Sequence, residues 1–136
     1  MAYKTIKLRD GENELTFEIR QFTASKGEDW LMKAVYLLGA QIDFKAIGEG
    51  ESASIASLIH ALCRSPYDEA KGLLNDLLMQ CYRVDGKVRT QVTLEDADMY
   101  ITSPVTLIKL RIEAAKENLG FFTALKELLF LEMGNI

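Results

Sequence analysis

Alternation opens the chain. Ile6 and Leu8 are interleaved with Lys7 and Arg9, and Leu15, Phe17 and Ile19 with Thr16, Glu18 and Arg20. A period of two over two short runs predicts a pair of β-strands with one apolar and one charged face. Between them, Asp10-Gly11-Glu12-Asn13 is a turn sequence in which Gly11 and Asn13 can take positive φ at little steric cost. Residues 3–21 therefore read as a β-hairpin. A lone two-stranded ribbon is marginal in water, so its apolar face is expected to lie over the helices that follow.

From Ser25 the period lengthens. Trp30, Leu31, Ala34, Val35, Leu37 and Leu38 form a helical stripe that Gly39 stops. Gln41 to Gly50 reads as a connection. Ala53 to Arg64 is a second helix, with Ile55, Leu58, Ile59 and Leu62 on one face. Ser65-Pro66 then supplies an N-cap and a proline at the first position of a third helix. That helix runs to about Tyr82 through Ala70, Leu73, Leu74, Leu77 and Leu78.

Residues 83–92 are the most polar linker in the chain. Asp85-Gly86 between Val84 and Val88 fits either a small hairpin or a mobile loop, and the polarity favours the loop. Thr93 opens a short helix, with Asp96 three residues later in a capping-box-like pattern. Ser103-Pro104 repeats the cap-and-proline device. It starts a longer helix bearing Val105, Ile108, Ile112, Ala115 and Leu119, which Gly120 breaks. The last segment, Phe121 to Met133, is nearly all apolar.

These elements predict an α+β fold that is predominantly α-helical, an N-terminal β-hairpin followed by five to six helices. Residues 1–136 read as a single domain, with 1–22 the hairpin and 25–136 a helical body. A chain of 136 residues can bury a real core, and 49% hydrophobic with 26% charged residues argues against disorder. A net charge of −4 and a pI near 5.1 offer no positive field for phosphates, so nucleic acid is not an expected partner. No apolar run approaches the roughly 20 residues that cross a bilayer, so no membrane partner is expected either. The start alternates and lacks the apolar block of a signal peptide, so the chain is expected to stay in the cytosol where it is made.

Candidate chemistry is sparse. His60 and Cys63 share a helix face and could form half a metal site, with Cys81 as the further sulfur ligand. In an antiparallel pair of helices, Cys63 and Cys81 would lie on the order of 20 Å apart at about 1.5 Å per residue, too far for a metal or a disulfide. Cys81 is then a small core residue and His60 a surface or half-buried one. Gly48-Glu49-Gly50-Glu51-Ser52 lacks the lysine and spacing of a phosphate loop, and its glutamates would repel phosphate. Glu95, Asp96 and Asp98 could hold a divalent cation, but carboxylates are favoured in a helix's first turn by the dipole alone. Lys87 and Arg89 read as solvating residues. The expectation is no catalytic residue, no cofactor and no metal, in a binding protein that is not an enzyme.

The C-terminal helix stands out. Phe121, Phe122, Leu125, Leu128, Leu129, Phe130 and Leu131 cover more than the ~100° stripe that one core requires. Part of that surface is either buried or an interface, and Phe121, Phe122, Leu125, Leu128 and Leu129 are the candidate partner or oligomer contacts.

Two groups of residues carry a family resemblance. One is Lys4-Thr5-Ile6-Lys7-Leu8-Arg9-Asp10-Gly11, followed by a tryptophan-bearing helix. The other is Thr93-Leu94-Glu95-Asp96-Ala97-Asp98-Met99-Tyr100-Ile101-Thr102-Ser103-Pro104, leading to Glu117-Asn118-Leu119-Gly120-Phe121-Phe122. Together they resemble the tail assembly chaperones of long-tailed, siphovirus-type bacteriophages. The resemblance spans most of the chain, and residues 41–90 contribute no motif to it. It implies a non-enzymatic protein of the infected cell's cytoplasm, absent from the mature virion. Such a protein binds the aggregation-prone tape measure protein and keeps it soluble. It helps bring tail tube protein to it through a C-terminally extended frameshift product. It also implies self-association, for which the apolar C-terminal helix is suited. Exposed methionine would suit such a surface, and Met99 and Met133 lie near the candidate faces. Two rival readings are a structural tail-completion subunit incorporated into the virion, and a small metal-binding regulator or enzyme using His60, Cys63 or the acidic cluster.

Overall fold

The computed structural model of the chain describes residues 3–38 and 51–118. Among them the elements run β1 (Tyr3–Asp10), β2 (Asn13–Arg20), α1 (Ala24–Leu38), α2 (Glu51–Cys63), α3 (Tyr67–Leu78), β3 (Cys81–Asp85), β4 (Val88–Gln91), α4 (Leu94–Ala97) and α5 (Pro104–Glu117). The four strands form one antiparallel sheet in the order β1-β2-β3-β4.

That sheet overturns the expectation of a predominantly helical fold opened by a hairpin. Residues 83–92, expected to be a loop, instead provide most of β3 and β4. The third helix stops at Leu78, and Cys81 and Tyr82, expected to close it, begin β3. The reason lies at the free edge of β2, whose backbone groups need partners. The Arg20 N–H donates to the Gln80 carbonyl at 2.9 Å, and Ile19, Glu18 and Phe17 then pair with Cys81, Tyr82 and Arg83. β4 is the outer strand, and Val88, Arg89 and Thr90 are exposed. A strand in that position shows no apolar face in its sequence.

Both hairpins turn in the same way. Gly11 has φ +64° and Gly86 φ +61°, and no described residue other than glycine has positive φ. Two-residue turns with positive φ at the first central position only are the type II′ pattern, whose twist suits antiparallel strands. Asn13, expected to share the positive φ, is already the first residue of β2. The closing pair Asp10↔Asn13 also sets the ladder, so hydrogen-bonded pairs recur at Leu8↔Leu15, Ile6↔Phe17 and Lys4↔Ile19. The Arg20 N–H directed at Gln80 gives the same parity from the other side of β2.

The chain divides into two compact units, residues 1–23 with 74–117, and residues 24–73 with 118–136. In the first unit α5 packs across β1 and β2. Phe17, Ile19, Cys81, Val92, Leu110 and Ala114 are fully buried there. Burying a side chain of the size of Phe17 or Leu110 contributes about 1.5–3 kcal/mol. Thr93 caps α4, its side chain accepting the Asp96 N–H at 3.3 Å, as the sequence indicated. The Ser103 side chain accepts the Val105 N–H at 3.2 Å, and Pro104 is the first residue of α5.

The second unit contains α1, α2 and α3 as far as Leu73. Trp30 is buried on α1, and its indole N–H donates to the Leu73 carbonyl at 3.1 Å, joining α1 to α3. Ala34, Leu58, Ala61 and Ala70 are also buried. Ser65 and Pro66 act differently from expectation. The Ser65 hydroxyl turns back to donate to Ala61 O at 2.9 Å, satisfying a carbonyl at the end of α2. The Pro66 carbonyl accepts the Ala70 N–H, so Pro66 is the cap and Tyr67 the first helical residue.

Candidate interaction surface

A buried carboxylate organises the first unit. Asp10, the last residue of β1, is 1% exposed. Its Oδ2 accepts the Thr102 N–H at 2.7 Å and the Thr102 hydroxyl at 3.1 Å. Its Oδ1 accepts the Ser103 N–H at 2.8 Å and the Thr106 hydroxyl at 2.9 Å. Burial by itself would raise the pKa of this group. The N–H groups of Thr102 and Ser103 and the hydroxyls of Thr106 and Thr102 outweigh it and hold the carboxyl below its usual value. The anion stands at the N-terminus of α5, where the helix dipole also favours negative charge. Asp10 thereby ties the end of β1 to the start of α5, and joins the two residue groups that carry the family resemblance.

That tie fixes which side of α5 faces the sheet. Thr106, Leu110, Ala114 and Ala115 are buried. The stripe expected to be the core face is turned the other way: Val105 is 55% and Ile108 53% exposed, and Ile112 is half-buried. Only Ala115 of the expected set is buried, and Leu119 lies outside the described residues. The physical reason is Thr106. Its hydroxyl is one of the four donors to Asp10 and must point inward, which swings its neighbours Val105 and Ile108 outward. α5 is thus apolar on two faces. In the turn before it, Met99 is 84% exposed, and Leu94 at the start of α4 is 43% exposed.

The sheet face away from Phe17 and Ile19 carries Glu18, Arg20, Tyr82 and Arg89. Glu18 is buried and accepts from Arg20 Nε at 2.6 Å and from Arg89 Nε at 3.0 Å. Burial opposes its charge, and the two guanidiniums overcome that and hold its pKa down. The Arg20 guanidinium also stacks 3.7 Å from the centre of the Tyr82 ring. Arg89, expected to be a solvating residue, therefore knits β4 to β2 across β3.

His60 and Cys63 are exposed on α2, and Cys81 is fully buried in β3. Burial pushes the Cys81 thiol up to about 12. Glu95, Asp96 and Asp98 are exposed around α4. Among the described residues no group of three or more His, Cys, Asp or Glu side chains converges as a metal site would require. None of the described helices is long and apolar enough to cross a membrane. Gly48, Glu49 and Gly50, and the candidate contacts Phe121, Phe122, Leu125, Leu128 and Leu129, lie outside the described residues. Two groups that the structure makes prominent went unread in the sequence. Asp10 reads there as a turn former, and Thr106 gives no signal of its own.

The fold is thus that of a small α+β protein whose hairpin is latched to a helix carrying an exposed apolar face. A family model described as phage tail assembly chaperone protein, TAC, matches residues 13–129. The chain belongs to the phage tail assembly chaperone family. No curated protein and no solved structure matches it. Membership gives a chaperone role in tail assembly and implies interaction with tail proteins.

Proposed function

We propose that this chain binds the tape measure protein of a long-tailed phage, keeps it soluble while the tail is built, and helps recruit tail tube subunits. It does so in the host cytoplasm without entering the mature virion, and the tube contact falls to a C-terminally extended product. The family match over residues 13–129 carries this reading. The outward apolar face of α5 supports it, since a protein that shields apolar helices needs accessible apolar side chains of its own. Val105 and Ile108, with the polarizable Met99 beside the entry to α5, offer such side chains. Phe121, Phe122, Leu125, Leu128 and Leu129 are proposed to add partner or self-association contacts. No chemical step is required of any residue.

Co-expression with the tape measure protein tests this directly. The chain is expected to move that protein into the soluble fraction, and equal insolubility with and without it would refute the proposal. A Val105→Ser, Ile108→Ser double variant separates surface from fold. Both side chains are more than half exposed, so stability should change by no more than about 1 kcal/mol. Solubilisation should nevertheless fall.

A further inference from the structure

Among the described residues, the outer edge of β1 is open. Within the described sheet β1 comes first and pairs with β2 alone. The ladder parity set by Asp10↔Asn13 turns the N–H and C=O groups of Lys4, Ile6 and Leu8 toward β2 and those of Thr5, Lys7 and Arg9 away from it. All of Tyr3, Lys4, Thr5, Lys7 and Arg9 are exposed. The strand is eight residues long and lacks proline and any break in its register. One strand inward Phe17 and Ile19 are fully buried, whereas Ile6 and Leu8 on the same face remain half-exposed. Among the described residues, apolar surface and backbone donors are therefore left uncovered along the same edge. Its far end is held rigid by the Asp10 latch, so little ordering remains for an incoming strand to impose.

The side chains decide what can fill it. Lys4, Lys7 and Arg9 make the edge positive. Lys7 reaches Glu14 at 4.0 Å, but both side chains are more than half exposed, so this pair exchanges partners at little cost. Two copies pairing edge to edge would bring Lys7 and Arg9 of each onto one face of the joint, where like charges repel. The same charges favour a strand bearing carboxylates.

We propose that the outer edge of β1 receives an extended acidic segment of a partner protein as a fifth strand. The segment alternates carboxylate residues over Lys7 and Arg9 with apolar residues over Ile6 and Leu8. This inference rests on β1, which precedes the residues matched by the family model, and stands apart from the docking assigned to α5.

The test titrates the isotopically labelled full chain with a synthetic capped heptapeptide of alternating glutamate and valine, followed by amide NMR and hydrogen exchange. The amides of Thr5, Lys7 and Arg9 are expected to gain exchange protection, while those of Lys4, Ile6 and Leu8, already bonded to β2, change little. Lys7→Glu should weaken binding by roughly tenfold or more. Thr5→Pro, which removes an outward N–H at an edge position that tolerates proline, should abolish it. A peptide with lysine in place of glutamate should not bind. The proposal is overturned if the outward amides stay unprotected at saturating peptide, if the lysine peptide binds equally well, or if wild-type chains protect the same amides by pairing with each other.

Discussion

Replacing Asp10 by Asn keeps the side chain's shape and removes half of its capacity. The carboxylate accepts two hydrogen bonds at each oxygen, from Thr102 at one and from Ser103 and Thr106 at the other. An amide offers one oxygen. Whichever way it turns, its NH2 group meets the backbone N–H of Thr102 or of Ser103, donor against donor, while the hydroxyl on that side can rotate to accept. One charge-assisted bond is lost and the remainder become neutral. Bonds to a charged group contribute about 1.5–3 kcal/mol and neutral ones about 0.5–1.5 kcal/mol. Taken at mid-range the loss comes to about 6 kcal/mol, and because a neutral amide costs less to bury than a carboxylate the net destabilisation is about 3 kcal/mol.

Urea denaturation followed by circular dichroism measures this change, and exchange of the Thr102 and Ser103 amides localises it. Thr106→Val removes a single hydroxyl donor and should cost about 1–2 kcal/mol. The double variant should lose less than the sum of the two, by at least about 0.5 kcal/mol, since both act on one carboxylate. The pH dependence has a definite sign. The native pKa of Asp10 is depressed below 3.8, so its stabilisation is complete above that value and fades as pH falls through it toward the native pKa. The gap between wild type and Asp10→Asn should therefore be constant above about pH 5 and shrink in acid. A variant within about 0.5 kcal/mol of wild type at pH 7 would refute the latch.

Other predictions follow from the same geometry. Gly86→Ala places a Cβ at φ +61° and should destabilise by about 1 kcal/mol in urea melts, although the site is sterically open. Arg89→Met should cost no more than about 1 kcal/mol in the same assay, since that side chain is 37% exposed and Arg20 still holds Glu18. Of the two cysteines, exposed Cys63 should react with a thiol reagent at pH 8 in the native protein, and Cys81 only after unfolding, because burial raises its pKa to about 12.

The first hairpin is readable because the buried apolar residues Phe17 and Ile19 alternate in β2 with the polar residues Thr16, Glu18 and Arg20. The second is not, although Asp85-Gly86 repeats the Asp10-Gly11 signal. β4 is an exposed edge strand, and its pairing is carried by the backbone, which leaves no apolar period to detect. In α5 the stripe of Val105, Ile108 and Ile112 is a true helical period, but period alone does not say which of two apolar faces turns inward. That choice was made by a contact between Asp10 and Thr106, 96 positions apart, and no local pattern encodes it. Ser65 shows the same limit at short range, where a hydroxyl between two helices can serve the end of one or the start of the next.

The first unit is built from residues 1–23 and 74–117, and this has a consequence for how it is made. Asp10 and Thr102 stand 92 positions apart. At ordinary translation speeds the hairpin leaves the ribosome on the order of ten seconds before its latch exists. During that interval Phe17 and Ile19 have neither β3 nor α5 against them. Closing so long a loop costs chain entropy that grows only logarithmically with length, so the delay falls on the rate of folding more than on final stability. A protein of a chaperone family thus begins its own life with an uncovered strand, and the sheet and helix that bury it follow only once residues 81–117 have been made.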